Sequence, residues 1–148
     1  MNEISDVLRK AIVDLIGHIQ VSGVSVPVFD EAVNPNVTIP ELDGAKVYVL
    51  IKDQQENETT SDKCGVRQNA LITFDCVAKF PVNVGSKRTV EKISREIQLS
   101  VKLPVTLPGW QVVEVTKVNS NALIEQGLNS TAYRKLITYS FDVFEVST

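Results

Sequence analysis

The chain is poor in the residues that carry most metal and nucleophile chemistry. Its 148 residues include one histidine, His18, two cysteines, Cys64 and Cys76, one methionine and one tryptophan. Such a set is too small for a four-ligand zinc site. The two thiols fit no metal or redox spacing, so a reduced loop thiol at Cys64 and a small buried strand residue at Cys76 are expected. No charge of one sign dominates: 15 Lys and Arg stand against 18 Asp and Glu, a formal net charge of -3. That balance disfavours duplex DNA as a ligand, because such binding rests on neutralising many phosphates. No stretch approaches the roughly 18 uninterrupted apolar residues of a membrane span. Residues 1–5 carry an acid where a secretory leader has bases, so synthesis in the cytoplasm without a targeting signal is expected. A Gly-rich phosphate loop, an internal repeat and low-complexity sequence are also absent.

What the chain does have is enough apolar material, 43% of its residues, to build the core of one domain spanning 1–148 without staples. Ile4, Val7, Leu8, Ala11, Ile12, Leu15, Ile16 and Ile19 recur at helical steps, with Asn2 as cap, Glu3 and Asp6 at the positive end of the dipole and Ser22-Gly23 as stop. A strand over 26–30 and a turn at Asn34, Pro35 and Asn36 follow. Residues 46–52 are apolar on both alternation faces, the mark of an interior strand. The polar stretch 54–63 reads as a solvated loop or the tip of a long hairpin. In 70–80, Ile72, Phe74, Cys76, Ala78 and Phe80 form a core face.

Ser86 is placed to cap a second helix with the buried stripe Val90, Ile93, Ile97 and Val101, ended by Pro104 and the turn at Pro108 and Gly109. Strands over 110–118 and 133–144 close the chain, joined by a polar loop over 119–131 with an apolar island at Ala122, Leu123 and Ile124. This order, helix, three strands, helix, two strands, predicts an α+β fold: a mostly antiparallel sheet of about four to five strands with two helices packed on one face. Leu71, Val77 and Leu136 are left on the other face, where a partner subunit is the simplest cover.

The search for chemistry returns little. His18 has Asp14 one turn earlier, yet no nucleophile lies in a recognised motif, so an idle flank histidine is expected. Asp30 and Glu31 are adjacent carboxylates without the loop ligands a hard cation needs. Trp110, Tyr133 and Tyr139 have the spacing of strand core residues, although a monomeric ligand-binding module would use them as an aromatic pocket. No catalytic residue, metal site or cofactor is expected, and the chain is not read as an enzyme. Charge is unevenly placed. Residues 87–102 hold five bases and two acids, whereas 53–62 hold four acids and no base. Candidate partner or subunit contacts are therefore Glu56, Glu58 and Asp62 in the acidic stretch, Lys87, Arg88, Lys92 and Arg95 on the second helix, and Leu123 and Ile124 in the later loop.

The order of segments resembles the tail-terminator and tail-completion proteins of long-tailed bacteriophages. The likeness is carried by the opening helix over 7–17, by Val28, Phe29 and Asp30 before a Pro-containing loop, and by the apolar strand Val47, Tyr48, Val49, Leu50 and Ile51. It continues through a polar loop, the strand 71–80, a helix led by Gly85 and Ser86, and the closing strand 133–143. The resemblance implies a subunit that assembles with itself as a ring, commonly a hexamer, on the last ring of the tail tube protein. There it stops tube polymerisation and offers a docking surface to a neck or head-completion protein, with DNA only as passing cargo. It also implies residence in the virion tail or neck after assembly in the host cytoplasm. A head-completion or neck adaptor is the alternative within the same particle.

Overall fold

The computed structural model describes residues 4–16, 18–62, 65–82, 84–101 and 109–145, the backbone alone for 4–6, 15, 18, 53–62 and 65–67. Helix α1 (Ile4–Ile16) buries Val7, Leu8, Ile12 and Ile16 and leaves Lys10 and Asp14 in solvent, as its periodicity predicts. It does not run on through Ile19. Residues His18–Val21 form strand β1, which pairs antiparallel with β2 (Val24–Asp30). Ser22 and Gly23, expected as a helix stop, turn this hairpin with φ of 50° and 82°, the left-handed pair that a two-residue connection between twisted strands requires. Alternation overrides the helical reading here, because Ile19, Val21 and Val26 are buried while Gln20 and Ser25 are exposed. The expected cap Asn2 and the acid Glu3 lie outside the described residues.

A second tight turn, Asp43 and Gly44 with φ of 55° and 86°, joins the short β3 (Glu41–Leu42) to β4 (Ala45–Asp62). β4 then returns antiparallel as β5 (Gly65–Pro81), so the polar stretch is the tip of a long hairpin. Cys64 lies outside the described residues. Helix α2 (Lys87–Val101) buries Val90, Ile93, Ile97 and Val101, and the Arg88 amide donates to Ser86 Oγ at 3.3 Å, the predicted cap. The expected stops Pro104 and Pro108 lie outside the described residues.

The last two strands are longer than expected. β6 (Trp110–Gln126) and β7 (Ser130–Glu145) form one hairpin closed by the Gly127 amide donating to the Ser130 carbonyl at 2.8 Å. The polar loop expected over 119–131 is therefore mostly strand, and Leu123 and Ile124 are paired with Arg134 and Tyr133. The pattern is concealed because β6 lies at the edge of the sheet and few of its side chains are buried, so nothing enforces apolar alternation along it.

The sheet has seven strands in the order β1-β2-β4-β5-β7-β6, with β3 beside β4. The short β1 and β3 raise the number above the expected four to five. One pair is parallel, Val28 to Asp30 of β2 against Val49 to Ile51 of β4, and the crossover between them passes over the sheet face opposite the helices. There Ile39 packs on Phe29, Tyr48, Leu50 and Val77. Val77, expected to await a partner subunit, is thus covered by its own chain, while Leu71 and Leu136 are half-buried. On the other face α1 and α2 pack over Val47, Val49, Ile51, Ile72, Phe74, Ala78, Ile137 and Phe141 in one core. Cys76 is in that core, and burial pushes its thiol pKa up, leaving it neutral and inert.

Candidate functional site

Helix α2 presents the basic candidates on different sides. Lys87 and Arg88 sit exposed in its first turn, which has no acid. Bases are mildly unfavourable at the positive end of a helix dipole. Lys92 turns toward the β3–β4 turn, where its Nζ meets Asp43 Oδ2 at 3.0 Å beside a 3.2 Å hydrogen bond from Thr89 Oγ1. Its charge is thus already engaged within the chain. On the opposite flank Glu91 accepts from Lys135 Nζ of β7 at 2.7 Å, and Gln98 accepts from Lys117 Nζ of β6 at 3.0 Å. Arg95 points to solvent. Lysine contacts on both sides fix the rotation of α2 and leave Lys87, Arg88 and Arg95 as its exposed bases.

The N-terminal turns of α2 and the far half of β6 enclose a cavity of about 180 Å³, lined by Lys87, Val90, Ala122, Leu123, Ile124, Tyr133 and Arg134. It joins three candidates chosen on separate grounds, the base Lys87 and the apolar pair Leu123 and Ile124, which are 40% and 46% exposed. The backbone of the acidic candidates Glu56, Glu58 and Asp62 lies in the distal half of β4, far along the hairpin; their side chains lie outside the described residues. The backbone of the acidic stretch and the basic first turn of α2 thus lie on separate elements of the chain.

One feature of the helix-free face has no counterpart among the candidates. Asp75, in the middle of β5 and 1% exposed, meets Lys52 Nζ at 3.0 Å and Arg134 Nε at 3.6 Å, and Arg134 continues to Glu125 at 2.8 Å. Burial opposes the charge on Arg134, but its hydrogen bond to Glu125 and the charges of Asp75 and Glu125 outweigh that and raise its pKa. Beside this chain Thr73 and Thr138 share a hydrogen bond of 2.8 Å, and Asn69 donates to Ser140 and Asp142. The signal was present: Asp75 is the only acid in the strand-forming run 65–81, and a buried carboxylate needs cationic partners.

Asp30, Glu31, Trp110, Tyr133 and Tyr139 all have contacts within the chain. Asp30 and Glu31 face Arg9, which ion-pairs with Asp30 and lies 3.5 Å from Glu31. Trp110 and Tyr139 are buried, and Tyr133 stacks edge-on against Phe80 at 5.7 Å between ring centres. His18 is in β1, off the helix that was to set Asp14 beside it, and its side chain lies outside the described residues. Among the described residues no group of three or more His, Cys, Asp or Glu could hold a metal, and no helix is long and apolar enough to cross a membrane.

No family model matches the sequence, and no curated protein matches it. Among solved structures, the chain is similar to one from the virion of a native gene transfer agent (GTA) particle. The match has a TM-score of 0.57 and 15% identity, and covers 95% of this chain and 94% of that one. At this identity the likeness establishes a shared fold, running almost end to end in both chains.

Proposed function

We propose that this chain is a non-catalytic structural protein of a phage-like virion, and specifically a tail terminator. In this reading its copies form a ring, commonly of six, on the head-proximal end of the tail tube. The ring ends tube polymerisation and presents its other face to a neck or head-completion protein. The observation that carries the reading is the near end-to-end fold likeness to a chain of the GTA virion. The tail-terminator-like order of its segments supports the finer assignment. The exposed patches also suit a ring subunit: Lys87, Leu123 and Ile124 at one site, and Arg88 and Arg95 on the helix. A cyclic assembly uses two different side surfaces of each copy and frees its upper and lower faces for different partners.

The test is assembly with and without the chain. Particles made in its absence are expected to carry tails of irregular length that do not join heads, and added purified chain is expected to restore joining. Negative-stain electron microscopy of the chain with tail tubes should show density at one tube end. Tails of normal length that join heads without it overturn the reading, and cross-links to a head-side adaptor but never to tube protein move the chain to the neck.

A further inference from the structure

Two stretches of open sheet edge, on β6 and on the distal part of β4, lie at the same height. Among the described residues β6 pairs only with β7, and no strand pairs with its outer edge. At the other side β2 covers β4 only as far as Ile51, and among the described residues no strand pairs with the outer side of β4 from Lys52 to Asp62. Following the pairs across the sheet, Lys52 is level with Thr73, Thr138 and Asn119, and Gln55 with Leu71, Ser140 and Thr116. Glu58 is likewise level with Gln68, Val143 and Val112. The free part of β4 therefore stands at the level of β6 residues 111–119.

Strand directions are compatible with joining these edges. β4, β5, β7 and β6 alternate in direction, and a rotation about an axis running along the strands leaves those directions unchanged. It sets β6 of one copy antiparallel to β4 of the next. Both edges also carry irregularities, one pair at the same level and one pair at adjacent levels. β4 shifts register between Lys52 and Gln55 and between Glu58 and Thr60, while β6 shifts between Lys117 and Asn119 and between Val112 and Glu114. Bulges bend and twist the strands that hold them, and a sheet curled at matching or adjacent levels on both margins is a segment of a barrel. The faces are sorted for closure as well. The helices lie on one face, and the other carries, across β4, β5, β7 and β6, the Lys52, Asp75, Arg134 and Glu125 chain and the Thr73, Thr138, Asn69 and Ser140 bonds, a polar face suited to a lumen.

We infer that the subunit contact is edge to edge: the outer edge of β6 in one copy hydrogen-bonds the free outer edge of β4 in the next, so the ring encloses a continuous barrel of four long strands per copy. The inference rests on the ring reading and names its joint. Closure satisfies the backbone groups of β4 beyond Ile51 and of β6 over 111–119, which an open sheet leaves as a template for uncontrolled association.

Hydrogen exchange on assembled and dissociated chain tests it. On assembly, amides in 111–119 and 52–60 are expected to gain protection while those of α2 keep theirs. Val113 and Val118, 52% and 53% exposed at the β6 bulges, supply the variant. Val113→Lys with Val118→Lys should leave the thermal unfolding midpoint of the dissociated chain unchanged. It should raise the concentration needed for assembly by about tenfold or more, as charges placed in an interface do. Rings that cap tubes while β6 exchanges as fast as in the single chain overturn the edge contact and leave the terminator reading standing, as do rings that tolerate both lysines. A chain that stays monomeric at every concentration and with tail tubes present overturns the ring and this joint together.

Discussion

Asp43 shows how single residues in this chain serve the frame around the candidate surfaces. Its left-handed backbone, with φ of 55°, turns the β3–β4 hairpin, and its carboxylate receives Lys92 and Thr89 from α2. The hydrogen bond from Lys92 is the main cause that holds its pKa below the ordinary carboxyl value of 3.8. A depressed folded pKa stabilises the protein above the unfolded value, and this contribution is lost as pH falls through the folded value. Asp43→Asn keeps a side chain that tolerates the left-handed turn and removes only the charge. The urea midpoint of the wild type should exceed that of the variant by a constant margin from about pH 7 down to about pH 5. The margin should shrink only below 3.8 and vanish once Asp43 is protonated in both states. A margin that persists there assigns the difference to the turn and not to the Lys92 contact. Among the basic candidates, Lys92 is therefore the one with an intramolecular task.

Elements were legible in proportion to how strongly burial enforces their period. α2 is the clearest case: its stripe, its cap and its wet face all follow from spacing, because one side faces the core and the other faces water. Ser86→Ala removes the acceptor of the Arg88 amide and should lower stability by about 1 kcal/mol in chemical denaturation. Ser86→Asp should restore it, since a carboxylate caps equally well and offsets the two bases in the first turn. An unchanged midpoint for the alanine variant assigns the helix start to packing alone. β5 was legible for the same reason, with Ile72, Phe74, Cys76, Ala78 and Phe80 all buried. β6 was legible only at its start. From Lys117 to Gln126 every side chain is exposed, so this half is held by its pairing with a strand that follows it in sequence, which no local pattern records. β1 and β3 hid behind turn pairs, Ser22-Gly23 and Asp43-Gly44, whose hairpin chemistry was present but flanked by strands of only four and two residues. The helix-free face was misjudged because the crossover that brings Ile39 over Val77 joins a parallel pair, and hairpin reasoning allows for none. The candidate surfaces fared likewise: the outward charges were visible in composition, whereas the meeting of Lys87 with Leu123 and Ile124 depended on a strand the pattern did not reveal.

At the scale of the whole molecule, an edge-to-edge ring differs from other assemblies in how it fails. Each copy uses two unlike edges, so the contact is heterologous, and every copy must both give its β6 and receive on its β4 for the ring to close. A copy with Val113→Lys and Val118→Lys keeps its β4 edge and loses its β6 edge. It can end an arc but cannot continue one past itself. Mixed with wild-type chain, it should therefore act in excess of its share, because the fraction of rings free of any blocked copy falls as a power of the ring size. Mass photometry of such mixtures should show monomers and short arcs replacing the closed species well before the blocked copies form a majority, and tube capping should fall with the closed species. A two-fold contact through one shared patch responds differently: dimers then decline smoothly with composition and no arcs appear. A decline in simple proportion to the blocked fraction would thus reject the two-edge joint, even if the purified variant alone failed to assemble.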